Sequence, residues 1–276
     1  MRDPLQLIPF EKWSDLEEVL SEDWPRCIQI EVLDFHRKWT EQGIEYDLQV
    51  YCPYGDLSNG MISVNKKISS YEVIILYPKE DTEQLESALR TTKMIDWNQA
   101  VEVAFASENV VECSKKIVGE KKLNIHHITK LELFIIKRGS PHFDITLPPG
   151  LSFAPTKINQ AEFINSVWPH QHPNSTAYIE SLIRAGKGYG LYKNQDLIGW
   201  VFIRENGPLL HLYVVEEQRR NGYAGLLLKH ITNVLMDLKK DCFAYCVNGN
   251  DKAAALYRKM KFSSGGFVYY CHFGSA

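Results

Sequence analysis

The sequence has no long basic tract, no long apolar run and only six cysteines among its 276 residues. Binding to duplex nucleic acid normally needs a basic face, whereas the formal net charge here is −3 and the pI about 6.3. A membrane-spanning helix needs about 20 predominantly apolar residues in succession. We therefore expect neither a nucleic acid nor a membrane as a partner.

The cysteine pattern argues against a disulfide-bonded or metal-binding protein, and the acidic N-terminus argues against a secretory signal. Only Cys242 and Cys246 lie close together, and strand alternation places both on one face, so we expect reduced core thiols and no metal. Residues 1–18 are rich in Asp and Glu and lack the basic start and apolar run of a secretory signal. We expect a cytoplasmic protein by default.

The first half of the chain reads as a small α/β domain. Apolar spacing predicts helices at residues 10–20, 27–39, 82–92 and 97–105, and alternation predicts strands at 46–52, 71–77 and 131–136. Glycine and proline punctuate residues 138–150. We therefore predict an N-terminal domain over 1–140 and a second domain over 150–276, with no internal repeat evident at the residue level.

The second half predicts an α/β fold of the α+β, mixed-sheet kind. Its order is a strand, two helices and three strands in quick succession at 188–193, 197–204 and 208–215. A long helix, a strand at 242–247, a short helix at 251–259 and a final strand at 267–273 follow. A mixed sheet with helices on both faces fits this order.

A candidate anion site lies where the strand ending near Val214 leads into the long helix. Gly222, Ala224 and Gly225 let the backbone turn tightly and bring several N–H groups together at the helix N-terminus. Unpaired donors and the positive end of the helix dipole suit a pyrophosphate, and Arg219 and Arg220 add charge-assisted donors. A turn that merely needs glycine is the alternative, but the preceding strand, the two arginines and the long helix favour binding.

Two motifs resemble those of the GNAT acyltransferase superfamily. Arg219, Gly222 and Ala224 match its Gln/Arg-x-x-Gly-x-Gly/Ala motif. The segment from Asn250 to Phe262 resembles its Asn-x-x-Ala-x-x-Leu-Tyr-x-x-x-Gly-Phe motif. The resemblance implies acyl-CoA, such as acetyl-CoA, as co-substrate and no metal. The residues that it assigns to coenzyme binding are Leu212, Tyr213, Val214, Arg219, Arg220, Asn221, Gly222, Tyr223, Ala224, Gly225 and Asn250.

Within that superfamily the chain resembles the glycine N-acyltransferase-like group. Residues 94–99 resemble an Ile-Asn-Trp segment of its N-terminal domain, and residues 197–200 and Trp168 resemble tryptophan positions of its C-terminal domain. The resemblance implies that the strand at Leu212–Val214 splays away from the strand at 242–247, and that the pantetheine arm enters between them. Because related enzymes can be mitochondrial without an obvious presequence, that compartment is also possible.

Attack of an amine on a thioester needs a neutral amine, a stabilised oxyanion and a proton for the departing thiolate. By resemblance Tyr257 supplies that proton, although it also fits a core position. Asn250 can be both a helix N-cap and a coenzyme contact. Pro208 stands where many relatives have a glutamate that acts as the general base. The candidate bases are therefore His211 and Glu205, and we expect Glu205 on a solvated strand end. Desolvation of the amine without a dedicated base is the alternative.

Other features receive plainer interpretations. Lys261 replaces the glycine that the second motif usually has before its phenylalanine. The histidines at 126–127, 170 and 172 are interpreted as surface-loop residues, and residues 263–266 as a flexible turn. The leading hypothesis is acyl transfer from acyl-CoA to a small-molecule amine, such as an amino acid like glycine. A protein or peptide N-acetyltransferase and a non-catalytic acyl-CoA-binding regulatory protein are the alternatives, and the oligomeric state is left open.

Overall fold

The computed structural model describes residues 2–41, 43, 47–66 and 71–275. The chain divides into two compact units, of which the first comprises Met1–Glu132 with Gly265–Ala276 and the second Leu133–Ser264. The last strand belongs to the first unit, where it pairs with an earlier strand.

The first half of the chain supplies six strands and four helices. They are β1 (Leu5–Leu7), α1 (Trp13–Ser21), α2 (Glu31–Glu41), β2 (Leu48–Pro53), β3 (Met61–Lys66), β4 (Tyr71–Leu76), α3 (Glu83–Thr91), β5 (Val101–Ala106), α4 (Glu108–Glu120) and β6 (Asn124–Ile136).

The second half supplies the same number of each within the described residues. They are β7 (Leu151–Pro155), α5 (Ala161–Ser166), α6 (Ser175–Arg184), β8 (Gly188–Lys193), β9 (Asp196–Ile203), β10 (Leu209–Val214), α7 (Tyr223–Asp237), β11 (Cys242–Val247), α8 (Asp251–Lys259) and β12 (Ser263–Gly274).

Each unit is built on a mixed sheet. In the first unit the strand order is β1-β2-β3-β4-β5-β12-β6, with β1 to β4 antiparallel and β4 parallel to β5. In the second unit the order is β7-β8-β9-β10-β11-β6, with β7 to β10 antiparallel and β10 parallel to β11. The predicted fold class, α/β with a mixed sheet, is confirmed.

The two halves repeat one order of elements. Each runs strand, two helices, three antiparallel strands, helix, parallel strand, helix and long strand. The amino-acid sequences of the two halves show no evident similarity that would have predicted this repeat. A strand order of this kind requires only matching hydrophobic periods, so it can recur on unrelated side chains.

Each unit buries its own apolar residues. Val73, Leu89, Val103, Ile117 and Phe273 are fully buried in the first unit. The second buries an equally apolar set, which includes Trp200, Phe202, Leu228, Ile231 and Phe243. The helices α3, α4 and α7 contribute through apolar stripes at helical spacing, so burial of one face rather than intrinsic propensity stabilises them.

Several predicted elements differ from the structure. The predicted helix at 97–105 is wrong, because Val101–Ala106 forms strand β5 and the helix α4 follows it. Its β-branched and aromatic residues suit a buried strand, and the helical spacing was a coincidence of their positions. Strand β3 was not predicted. The predicted strand at 46–52 is observed as β2, but Tyr46 lies outside the described residues.

The final strand begins earlier than predicted. The predicted turn at 263–266 is wrong, because these residues already belong to β12. The predicted break at 138–150 contains no helix or strand. It is nevertheless fixed, since the Asn233 side chain of α7 binds both the N–H and the carbonyl of Phe143, at 2.8 and 2.9 Å.

The expectations about thiols, metals and membranes can be compared with the described residues. All six cysteines are buried and in the thiol form, as predicted. Across those residues no group of three or more His, Cys, Asp or Glu side chains is placed to hold a metal ion. None of the helices described has both the length and the apolar character needed to cross a membrane.

Candidate functional site

The strand β10 carries a bulge at His211. Leu210 lies opposite Phe202 of β9 and Tyr213 lies opposite Trp200, so two residues of β10 occupy the space across from one residue of β9. His211 has a φ of 52°, a left-handed conformation that is uncommon for residues other than glycine, although histidine adopts it more often than most. Bulges of this kind leave a residue out of the ladder and change the direction of its side chain, often next to active sites.

The parallel neighbour of β10 is paired with it near one end. The ladder between β10 and β11 is registered at Leu209 opposite Ala244, at the start of β10. The later residues of β10, from 210 to 214, have no registered partner on β11 within the described chain. This agrees with the separation of the two strands that the resemblance implied, and backbone groups on a separated strand can bind an extended ligand arm.

The predicted phosphate loop lies at the N-terminus of α7. Val214 ends β10, the turn follows, and Gly222 is the N-cap with a φ of 79° and no side-chain cap. An added Cβ at Gly222 would meet no atom within 4 Å, so conformation rather than space requires glycine here. The first turn of α7 contains no acidic residue. Its N–H groups and the helix dipole can therefore receive an anion without competition from a carboxylate.

The two arginines of the loop differ in their surroundings. Nε of Arg219 donates to the carbonyl of Val214 at 3.1 Å and Nη1 to the carboxylate of Glu216 at 2.7 Å. Its guanidinium also lies 5.2 Å from the ring centre of Tyr213. Arg220 is exposed and has a φ of 66°. Arg219 thus holds the loop against the end of β10, which sequence reasoning did not reveal.

The second motif forms α8 with both of its ends defined. Asn250 is the N-cap, because its side-chain oxygen accepts the N–H of Ala253 at 3.2 Å. At the other end Lys261 has a φ of 64°. The N–H of Phe262 bonds to the Tyr257 carbonyl and that of Lys261 to the Arg258 carbonyl. This is a Schellman ending, so the turn that usually uses glycine is formed here with lysine.

Tyr257 is buried between α8 and the sheet. Its ring stacks on Phe134 at 5.1 Å and meets Phe262 edge-on at 5.3 Å. Burial, with the thiols of Cys246 and Cys242 nearby, raises the pKa of Tyr257 above its usual value. The phenol therefore stays protonated at neutral pH, as a general acid must.

His211 lies among aromatic rings. It stacks on Trp168 at 5.6 Å and meets Trp200 edge-on at 5.6 Å. Neither ring nitrogen has a hydrogen-bond partner among the residues described. Burial, with a smaller effect of His170, lowers the pKa of His211 to about 4. The imidazole is therefore neutral at pH 7, and it is a hydrogen-bonding group and a weak base.

The alternative base is not where the sequence suggested. The expectation of a solvated Glu205 is wrong, because only 1% of this residue is exposed. Its carboxylate accepts the hydroxyl of Tyr178 at 2.5 Å and pairs with Arg204 at 3.4 Å. Pro208 accepts the Arg204 N–H in the same turn. A buried carboxylate needs such partners, and no local sequence signal identified Tyr178 as one of them.

The structure brings some predicted residues together and not others. The coenzyme-binding residues from Leu212 to Gly225 form one continuous segment at the end of β10 and the start of α7. The ring contacts of His211 and those of Tyr257 share no member in the described chain. The two catalytic candidates therefore belong to separate clusters of the second unit.

The other histidines that the sequence analysis singled out lie apart from this site or at its margin. His126 and His127 were expected in a loop, which is wrong, because both lie on β6, where their rings contact His272 at 4.8 and 5.3 Å. His170 and His172 are exposed in the segment between α5 and α6 and lie near Trp168.

A comparison with protein families matches part of the second half of the chain. Residues 188–270, less than a third of the chain, match the family described as FR47-like protein. No curated protein matches the sequence.

Three solved structures show the likeness of the fold. A Drosophila protein superposes with a TM-score of 0.86 at 17% identity over 98% of both chains. A tandem GNAT protein from the clavulanic acid biosynthesis pathway gives 0.55 at 11% over 99% of both. A GNAT-family acetyltransferase from Colwellia psychrerythraea gives 0.52 at 12% over 98% of this chain and 99% of that chain. At these identities the solved structures show a likeness of fold alone, and the glycine N-acyltransferase-like group is not confirmed.

Proposed function

We propose that this protein is an acyl-CoA-dependent N-acyltransferase that moves an acyl group from coenzyme A to the amine of a small molecule. The observation that carries the proposal is the uncapped N-terminus of α7, with Gly222 in the left-handed conformation, directly after the bulged strand β10. An amino acid such as glycine is the acceptor that the resemblance to glycine N-acyltransferase-like proteins implies.

The coenzyme would be held by the second unit, within the predicted domain 150–276. The N–H groups from Asn221 to Gly225 and the side chain of Arg220 offer donors to the pyrophosphate. The backbone of Leu212, Tyr213 and Val214, beyond the point where β10 pairs with β11, offers hydrogen bonds to the pantetheine arm. Asn250 already caps α8 through its side-chain oxygen, so its amide N–H₂ is the group left for a contact with coenzyme.

The reaction would use the two clusters for different proton transfers. The amine attacks the thioester carbonyl carbon, the C–N bond forms, and the C–S bond breaks. Tyr257 keeps its proton at neutral pH because burial raises its pKa, so it can protonate the departing thiolate and then recover a proton from solvent. His211 is neutral with unpaired ring nitrogens, so it can accept a hydrogen bond from the incoming amine, whose nitrogen releases one proton to solvent as the amide forms.

Calorimetry with acetyl-CoA, benzoyl-CoA and a longer acyl-CoA tests coenzyme binding, and a thiol-release assay with a panel of amines tests transfer. Binding with amine-dependent release would support the transferase. Binding without release for any acceptor would favour the acyl-CoA-binding regulatory protein. Release only with basic peptides would favour the protein N-acetyltransferase, and failure to bind any acyl-CoA would contradict all three.

A further inference from the structure

The imidazole of His211 is held by ring contacts within the described part of the chain, where neither of its nitrogens has a hydrogen-bond partner. It stacks on Trp168 with an interplanar angle of 23° and meets Trp200 at 89°, both at 5.6 Å. A catalytic histidine is usually oriented by a hydrogen bond to the nitrogen that does not react. At His211 the stacked indole has to supply that orientation instead.

Trp168 lies outside any helix or strand, in the segment between α5 and α6. Its indole stacks on a second ring, the phenol of Tyr178, at 6.3 Å and again with an interplanar angle of 23°. We call His211, Trp168 and Tyr178 the His211 stack. A ring on an irregular segment takes the orientation that its packing allows, and offset stacking is one of the arrangements that aromatic pairs prefer. The position of Tyr178 therefore helps to decide how the indole meets the histidine.

The hydroxyl of Tyr178 is bound by a buried ion pair. It donates to one carboxylate oxygen of Glu205 at 2.5 Å, and Nε of Arg204 lies 3.4 Å from the other oxygen. Only 1% of Glu205 is exposed, and Arg204 balances its charge. A hydrogen bond to an ionised group is shorter and about twice as strong as a neutral one. The ion pair therefore fixes the phenol at the outer end of the His211 stack.

The ion pair belongs to the turn of the hairpin that also carries His211. Arg204 and Glu205 lie between β9 and β10, where the N–H of Gly207 bonds to the Arg204 carbonyl at 2.9 Å. Tyr178 comes from α6. The hairpin of β9 and β10 thus anchors, through its turn, the rings that pack on its own histidine. Such an arrangement holds a side chain by its supporting residues rather than by a direct hydrogen bond.

We propose, given the proposed function, that Tyr178 is a positioning residue for acyl transfer. Through Trp168 it keeps the imidazole of His211 directed at the incoming amine. The Arg204–Glu205 ion pair fixes the phenol at the other end. Tyr178 acts through these contacts and not on the acyl group itself.

The expected consequence is a loss in kcat rather than in coenzyme binding. A misplacement of about 1 Å at a reacting group can lower a rate by about 100-fold. Tyr178→Phe keeps the ring that stacks on Trp168 and removes only the hydroxyl that Glu205 binds. We therefore expect a partial loss, with kcat about tenfold lower. The KM for acyl-CoA should stay within about twofold, because the proposed coenzyme donors lie at the N-terminus of α7.

A second tyrosine of the same unit provides a matched control. The hydroxyl of Tyr192 binds the Gln160 side chain at 2.9 Å and the Pro155 carbonyl at 3.1 Å. Tyr192 is not among the rings that contact His211. Tyr192→Phe therefore also removes a hydrogen-bonded hydroxyl and should leave kcat unchanged. Both variants are assayed by thiol release with the amine that gives the native protein its highest rate, and thermal unfolding verifies that they fold.

Two outcomes of this assay would overturn the proposal. One is an unchanged kcat in folded Tyr178→Phe, and the other is an equal fall of kcat in Tyr192→Phe. A native protein that releases thiol with no amine would instead contradict the proposed function, so the two failures can be told apart.

Nuclear magnetic resonance of the histidine rings tests the positioning without turnover. The His211 signal is identified by its absence in His211→Asn. Burial, with a smaller effect of His170, lowers the pKa of His211 to about 4 in the native protein. A loosened stack admits water to the ring, so this pKa should rise by at least about one unit in Tyr178→Phe. It should not change in Tyr192→Phe. The same pKa in all three proteins would mean that Tyr178 does not hold the histidine.

A double-variant cycle tests whether Tyr178 and Glu205 act through one contact. Glu205→Gln keeps the shape of the side chain and weakens its hydrogen bond to the phenol, so kcat should fall several-fold. In the double variant, Tyr178→Phe with Glu205→Gln, kcat should equal that of Tyr178→Phe. Losses that multiply would show that Glu205 acts by another route, such as direct base catalysis, and would contradict its part in the proposal.

Discussion

The two units repeat one order of elements but present different chemistry at the same topological position. In the second unit the helix after the first parallel strand begins at Gly222 with no side-chain cap and no acidic residue in its first turn. In the first unit the corresponding helix, α3, has Glu83 and Glu86 in its first turn. Asp81 already accepts the N–H of Glu83 at 3.0 Å. The first helix N-terminus is neutralised by its own chain, whereas the second is open to an anion.

Near the ends of the parallel strands β4 and β5, side chains from other parts of the first unit bind the polar groups. The Gln29 amide donates to the Phe105 carbonyl at the end of β5 at 3.0 Å. The Asn109 amide donates to the Lys79 carbonyl, just after β4, at 2.9 Å. The ammonium of Lys79 binds Asn59 at 2.6 Å. A shared topology therefore supplies a place for a ligand, while a few polar residues decide whether a ligand can use it.

The largest expected effect concerns the acid in α8. Tyr257 and Ser114 each stand seven residues after a helix N-cap, Asn250 and Ser107 respectively. Tyr257→Phe keeps the ring and removes the proton donor, so kcat should fall at least about 100-fold in a steady-state thiol-release assay. Ser114 binds the Val110 carbonyl at 2.8 Å. Ser114→Ala is therefore a control that should leave kcat unchanged, and an unaffected Tyr257→Phe rate would remove Tyr257 from the mechanism.

The two helix N-termini can be compared by calorimetry. Gly222→Val forces a β-branched residue into a left-handed conformation that costs about 1–3 kcal/mol, so acyl-CoA affinity should drop at least about tenfold. Asp81→Ala in the first unit should leave affinity unchanged. We expect one coenzyme per chain. A stoichiometry of two, or a loss of affinity in Asp81→Ala, would show that the first unit also binds.

The pH dependence of the free energy of unfolding can reveal the contribution of His211 in the bulge. The folded pKa of His211, about 4, lies below the unfolded value, so the unfolded state binds more protons and stability falls as the pH drops from about 6.5 towards 4. Between pH 7 and pH 5 the native protein should lose about 2 kcal/mol more than His211→Asn, a substitution that tolerates positive φ. Urea unfolding at both pH values measures the difference. An equal loss of stability in the two proteins would mean that His211 takes up its proton in the folded state as readily as in the unfolded state.

The smallest expected effect is a change in stability that should be the same in the two units. Helices α4 and α8 both end in a Schellman motif with lysine at positive φ, Lys122 at 56° and Lys261 at 64°. Lys122→Gly and Lys261→Gly should each stabilise the protein by about 0.5–1 kcal/mol, because glycine adopts this conformation without strain. Thermal unfolding measures both. Destabilisation by Lys261→Gly alone would indicate that the lysine has a further role in the second unit.

The sequence predicted much of the second unit because its signals are local. The glycines and arginines before α7, the cap at Asn250 and the apolar stripes each depend on neighbouring residues, and local patterns survive without knowledge of the fold. Tyr257 and the loop at 219–225 were found in this way, although their catalytic and binding roles stay predictions. The error at 97–105 shows the limit, since a short apolar segment fits helix and strand equally well until its neighbours are known.

The amino-acid sequence by itself determined the α/β class, the cap of α8 at Asn250 and the buried thiols, and it predicts an anion site in the segment before α7. Only the tertiary structure decided that Glu205 is buried against Tyr178, that His211 sits in a bulge among tryptophans, and that the first half repeats the topology of the second. These features join residues far apart in the chain. Burial and strand register arise from packing between elements, which local sequence patterns do not encode.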